Sequence, residues 1–151
     1  MKSDTKILIP ARMASTRFPG KPLAPIEGLP MVVYCARNAL KTGLDVIVCT
    51  DSQEIRSVCD LYDIKSILTP KFNTGTDRIA WVSEQINSKY LINLQGDEPL
   101  ITKDSINKIV SMLPELEKDQ NLILNGINPV NSEEAFDPNN VKCAVIKENN
   151  K

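Results

Sequence analysis

The sequence predicts an α/β fold: a doubly wound, mainly parallel sheet with helices on both faces. Two observations carry that expectation. Apolar runs of strand length alternate along the chain with stretches whose apolar residues recur at helical spacing. The strand-like runs, such as Ile7-Leu8-Ile9 and Val46-Ile47-Val48-Cys49, are continuously apolar instead of alternating, as in strands buried on both faces. With 151 residues, 42% of them hydrophobic and 25% charged, the chain is long enough and apolar enough for one domain with a real core.

The elements follow in order. Ile7-Leu8-Ile9 reads as the first strand, ending in a long polar loop. Ala24-Pro25-Ile26 with Glu27-Gly28 reads as a short extended piece and a turn, and Pro30 sits where a helix takes its first residue. Val32, Val33, Ala36, Ala39 and Leu40 place one apolar face on a helix over 31–41, with Gly43 as its stop. Asp45–Thr50 is the second strand. Asp51-Ser52 offers a cap to a second helix whose inward positions are Ile55, Val58, Cys59 and Tyr62. Residues 64–68 make a third strand, and a polar loop broken by Pro70 leads to Gly75, where a third helix opens with Ile79, Val82 and Ile86 inward. Residues 90–94 form a fourth strand. Thr102 and Asp104 cap a helix running through Met112, residues 122–124 form a fifth strand, Ser132–Phe136 a short helix and residues 141–147 a last strand.

Composition removes several kinds of function. A net charge of -1 gives no bulk attraction to nucleic acid or to an anionic membrane. No histidine is present, which excludes an imidazole base, a Ser-His-Asp triad and any histidine-containing metal site. Cys35, Cys49, Cys59 and Cys143 form no CxxC pair and read as reduced, buried thiols of a cytoplasmic protein. No apolar run is long enough for membrane insertion, and the N-terminus lacks the apolar region of a signal peptide.

The chemistry concentrates in two stretches. The first, Ile-Pro-Ala-Arg-Met-Ala-Ser-Thr-Arg-Phe-Pro-Gly-Lys-Pro-Leu over residues 9–23, presents Arg12, Arg17 and Lys21 with the hydroxyls of Ser15 and Thr16 and a turn at Pro19-Gly20. Small residues there let backbone N–H groups approach a polyphosphate while the cations neutralise its oxygens; a merely solvated basic loop is the plainer alternative. It contains neither GxxxxGK[ST] nor GxGxxG. The second stretch, Asn-Leu-Gln-Gly-Asp-Glu-Pro-Leu-Ile over residues 93–101, puts Asp97 just past a strand. That carboxylate could cap the next helix or make a turn bond, but opposite a polyphosphate loop it suits a hard cation such as Mg²⁺. Glu98 reads as a helix-terminus charge, and capping is the simpler account of Asp51. Ligands of doubly wound sheets bind beyond the carboxyl ends of the strands, so both stretches should converge on one pocket.

Both stretches resemble signatures of the 3-deoxy-manno-octulosonate (Kdo) cytidylyltransferases, the CMP-Kdo synthetases, in the same order and at about the same separation. Residues 73–78 resemble the Ser-Gly-Thr-Glu-Arg stretch with which that family reads cytidine, with Thr74 in place of Ser and Asp77 in place of Glu. Taken without the family, that stretch is an ordinary capped helix start. The resemblance implies a nucleotide-diphospho-sugar transferase-like fold and transfer of CMP from CTP to Kdo, giving CMP-Kdo and pyrophosphate for lipopolysaccharide assembly. It assigns Arg12, Ser15, Arg17, Lys21, Thr76 and Arg78 to the nucleotide, with Arg12 and Lys21 catalytic. It assigns Gln95 to the sugar and Asp97 to Mg²⁺, and it implies a homodimer.

Family members continue for roughly another hundred residues, about a small domain. Residues 1–151 are therefore expected to be the N-terminal portion of the nucleotide-binding cytidylyltransferase domain, truncated at the C-terminus. A cytidylyltransferase for another acid sugar and a non-catalytic nucleotide-binding remnant are the alternatives; the wording of the two stretches favours Kdo over sialic acid.

Overall fold

The computed structural model describes residues 4–14, 18–116, 123–127 and 131–138. At its centre lies β1 (Thr5–Ala11), in which Ile7, Leu8 and Ile9 are fully buried. A small antiparallel hairpin follows, β2 (Pro25–Ile26) with β3 (Leu29–Pro30). Its two-residue turn has Glu27 at φ 49° and Gly28 at φ 80°, the left-handed pair that a type I′ hairpin turn requires. The strands β4 (Asp45–Thr50), β5 (Ser66–Leu68) and β6 (Tyr90–Asn93) complete the main sheet in the order β5-β4-β1-β6, with every pair parallel. Ile7 lies beside Val46 and Ile9 beside Val48.

The continuous apolar runs are explained by two separate faces. Ile7, Ile9, Val46 and Val48 meet Val32 and Ala36 of α1 (Met31–Leu40), Ile55 and Cys59 of α2 (Gln53–Leu61) and Ile106 of α4 (Lys103–Ser111). The intervening residues Leu8, Ile47 and Cys49 meet Ile79 and Val82 of α3 (Gly75–Ser83) on the other face. Each of these large side chains contributes about 1.5–3 kcal/mol by leaving water. The helix starts are fixed by hydroxyls: Ser52, Thr74 and Thr102 accept the N–H groups of Ile55, Asp77 and Ser105.

Of the expected strand over residues 122–124, the described residues 123 and 124 form none. Ile123 and Leu124 are irregular, Ile123 is 87% exposed, and no strand among the described residues lies beside them to supply a ladder. Leu122 itself, the expected strand over 141–147 and Cys143 lie outside the described residues. Pro30 proves to be the N-cap of α1 and not its first residue, because it also closes the hairpin opposite Pro25. The third strand is shorter than expected, beginning at Ser66 after Asp63 turns the chain at φ 55°. Two further short helices are α5 (Leu113–Leu116) and α6 (Ser132–Phe136), the latter as expected.

Cys35, Cys49 and Cys59 are fully buried free thiols. Burial is the chief cause that raises them from 9.0, to about 11, about 12 and about 11 respectively. Between pH 9 and 11 the unfolded chain therefore loses these protons while the folded chain keeps them. Stability present below pH 9 should fall as the pH rises, by roughly 1 kcal/mol per pH unit for each thiol. Melting temperatures from pH 7 to 10.5 check this: Cys49→Ala should flatten the decline, and an equally steep slope would contradict it.

Candidate functional site

Three chain segments leave the carboxyl edge of the sheet and meet there. The first follows β1, where Arg12 emerges exposed. The loop folds back through the Gly20 N–H, which donates to the Met13 carbonyl at 3.2 Å, and ends in a 3-10 turn over Lys21–Leu23. The second follows β6. The Leu94 N–H donates to the Leu8 carbonyl at 3.0 Å, prolonging the strand pairing, and a turn then carries Gln95, Gly96 and Asp97. Gly96 presses against β1: a Cβ there would lie 3.0 Å from the Pro10 carbonyl oxygen, a contact that only glycine avoids. The third is the start of α3, where a Cβ on Gly75 would lie 3.1 Å from the Pro10 ring.

Specific contacts tie the segments together. Lys21 Nζ donates to Asp97 Oδ2 at 2.6 Å, joining the two sequence stretches across 76 positions. Arg12 Nη1 donates to the Asn73 carbonyl at 2.8 Å, joining the first loop to the segment that leads into α3. Gln95 Nε2 donates to Asn93 Oδ1 at 3.0 Å. The result is an open cleft of about 580 Å³ walled by Arg12, Lys21, Thr74, Gln95 and Asp97, with Phe18 and Met31 as apolar surface. Its volume is that of a small-molecule site. Cations, a carboxylate, and hydroxyl and amide groups beside apolar side chains suit a charged small molecule with an apolar part.

Of the residues expected at the site, Arg12, Lys21, Gln95 and Asp97 are brought together. Ser15 and Arg17 lie outside the described residues. Thr76 is exposed on the first turn of α3 and is not part of the cleft wall; Thr74 and Gly75 occupy that place. Thr74 Oγ1 both accepts the Asp77 N–H at 3.0 Å and donates to the Asp77 carboxylate at 2.7 Å, so Asp77 serves the helix cap.

Two readings of acidic residues are corrected. Asp51 does not cap α2, because Ser52 does; its carboxylate lies 3.0 Å from Arg78 Nη2. Glu98 is not at a helix terminus: it is exposed in the turn after β6, and α4 begins only at Lys103. Arg78 reaches the cleft wall but is only 1% exposed. Its Nη1 donates to Thr69 Oγ1, and Nη2 makes the ion pair with Asp51 without an aligned hydrogen bond. Its charge is thus engaged within the protein, holding α3 to the ends of β4 and β5. The sequence assigned Asp51 only a capping role and gave Phe18 and Met31 none at the site; the usable signal for Asp51 is its place just past a strand end.

Comparison with known proteins follows the same outline. A model of the cytidylyltransferase family matches residues 6–151. A 3-deoxy-manno-octulosonate cytidylyltransferase of Polynucleobacter asymbioticus is 47% identical over 117 residues, covering 74% of this chain and 46% of that protein. An 8-amino-3,8-dideoxy-manno-octulosonate cytidylyltransferase of Shewanella sp. is 41% identical over 145 residues, covering 92% of this chain and 59% of that protein. A solved CMP:2-keto-3-deoxy-manno-octonic acid synthetase complexed with CTP superposes with a TM-score of 0.70 at 36% identity, covering 80% of this chain and 50% of the other. The chain thus spans about half the length of the relatives it matches. With the family model matched from residue 6 onward and both motif segments meeting in one cleft, this chain belongs to the cytidylyltransferase family.

Proposed function

We propose that this chain forms the CTP-holding part of an enzyme that transfers CMP to 3-deoxy-manno-octulosonate, releasing pyrophosphate. The observation that carries the proposal is the convergence of Arg12, Lys21, Gln95 and Asp97 on one cleft. Arg12 and Lys21 hold the triphosphate, with Lys21 on the outer phosphates, while Thr74 and the start of α3 meet the base. Gln95 faces the sugar. Such a transfer depends on positioning and charge neutralisation more than on a protein nucleophile, so a site without histidine suffices.

Mg²⁺ fits this donor set. Among the described residues no group of three potential metal ligands occurs, but Mg²⁺ commonly takes one or two carboxylates with phosphates and water. Asp97, at the cleft wall opposite the basic loop, would hold it, and the ion would supply charge neutralisation at the phosphates. Identity to the Shewanella protein favours one second reading, an 8-amino sugar as the acceptor. No helix among the described residues is long and apolar enough to cross a membrane.

Thermal denaturation with Mg²⁺ and either CTP or ATP tests the reading. At a hundredfold excess over its dissociation constant CTP should add about 2.7 kcal/mol of stability, and ATP much less. Equal stabilisation by the two nucleotides, or none by either, would overturn it.

A further inference from the structure

We propose that Asn38 is a positioning residue for Asp97, acting from α1 on the turn that carries the carboxylate. The assignment rests on the reading of the cleft given above and goes beyond it. Asp97 is an exposed side chain on a short turn, and its placement depends on how that turn is held. Two side chains of α1 grip the turn on either side of it. Asn38 Nδ2 donates to the Pro99 carbonyl at 2.8 Å, and Cys35 Sγ donates to the Gly96 carbonyl at 3.3 Å. Positions 35 and 38 share one face of a helix, so a single surface meets both ends of the Gly96–Pro99 segment.

The grip is directional. Lys41 Nζ donates to Asn38 Oδ1 at 2.7 Å, which occupies the acceptor end of the amide and leaves its NH₂ facing Pro99. On the opposite side Gly96 is pressed against the Pro10 carbonyl, so the turn is held between β1 and α1. Burial, followed by the charge of Asp97, raises the Cys35 thiol to about 11, so it is a neutral donor across physiological pH as an unshifted thiol would be. A thiol is the weaker donor of the two, so Asn38 dominates. The packing of α1 on the sheet does not depend on Asn38. That is done by Val32, Val33, Ala36 and Ala39, all fully buried, whereas Asn38 is half-buried at the margin.

The test is calorimetric titration of the chain with CTP, with and without Mg²⁺, and with CMP in the absence of metal. Asn38→Asp keeps the size and the Lys41 partner but sets an acceptor against the Pro99 carbonyl; Asn38→Ala simply removes the donor. Both should shrink the gain in CTP affinity conferred by Mg²⁺ by about tenfold, the weight of one lost hydrogen bond. Metal-free CMP affinity should stay within about twofold. A Mg²⁺ gain equal to that of the unaltered chain would overturn the assignment. So would equal losses with and without metal, which would mark a general loosening. Failure of the unaltered chain to bind CTP at all would overturn the functional reading itself, and this assignment with it.

Discussion

Replacing Arg78 with alanine should lower the stability of the chain by about 3–5 kcal/mol, as expected when one partner of a buried ion pair is removed. The Arg78 side chain is 2% exposed, and the Asp51 side chain opposite it is 18% exposed. Arg78→Ala leaves that carboxylate without its counter-charge, deprives Thr69 Oγ1 of its donor and opens a cavity between α3 and the ends of β4 and β5. Asp51→Asn should cost less, since the amide keeps its size and can accept from the guanidinium. The double variant Arg78→Met with Asp51→Asn should recover much of the loss, because the uncompensated charge is then gone. Urea denaturation of the unaltered chain, Arg78→Met, Asp51→Asn and the double variant measures the coupling, with Arg78→Ala run beside them. A loss below about 1 kcal/mol for Arg78→Ala would place this pair with ordinary surface ion pairs. The effect reaches the cleft, because Arg78 is one turn from Thr74 at the start of α3.

This ion pair also shows where reading the sequence stops. The central strands were legible because their runs are continuously apolar and bounded by polar turns. The start of α3 was legible because Thr74 and Asp77 stand at capping spacing, and the convergence of Lys21 and Asp97 followed from where ligands bind in parallel sheets. The destination of the Arg78 side chain was not legible. An arginine on the first turn of a helix has the same local pattern whether it faces a phosphate or turns inward. Its burial depends on Asp51 and Thr69, which come from other strand ends. Thr76 lies off the cleft wall for a related reason: a hydroxyl two residues past a cap lies on another side of the helix, and sequence alone does not say which hydroxyl faces the cleft. The triplet 122–124 is apolar enough for a strand, yet strand formation needs a partner, and its sequence contains no information on whether one is adjacent.

Lys21→Ala should act in opposite directions on the two ligands proposed for the cleft. The Lys21–Asp97 pair is short, 2.6 Å, but its side chains are 37% and 49% exposed, so its loss should alter folding stability by no more than about 1 kcal/mol. Its effect on ligands is larger. A charge-assisted hydrogen bond to a phosphate contributes about 1.5–3 kcal/mol, so CTP affinity should fall by about 10- to 150-fold. CMP lacks the outer phosphates assigned to Lys21 and should lose little. A divalent cation offered without nucleotide should gain affinity severalfold, because the ammonium that neutralises Asp97 and repels the cation is gone. On the proposed assignments, CTP would draw Lys21 toward its phosphates and free Asp97, so nucleotide and Mg²⁺ should each strengthen the other's binding. Linkage makes that coupling reciprocal, and Lys21→Ala should weaken it from both sides. Asp97→Asn supplies the contrast: it should remove the metal-dependent part of CTP binding and leave metal-free CMP binding nearly unchanged. Titrations with CTP, CMP and Mg²⁺ on the three proteins decide the matter. Equal losses of CTP and CMP in Lys21→Ala would move Lys21 away from the outer phosphates, and an unchanged affinity for Mg²⁺ alone would show that the pair does not guard Asp97.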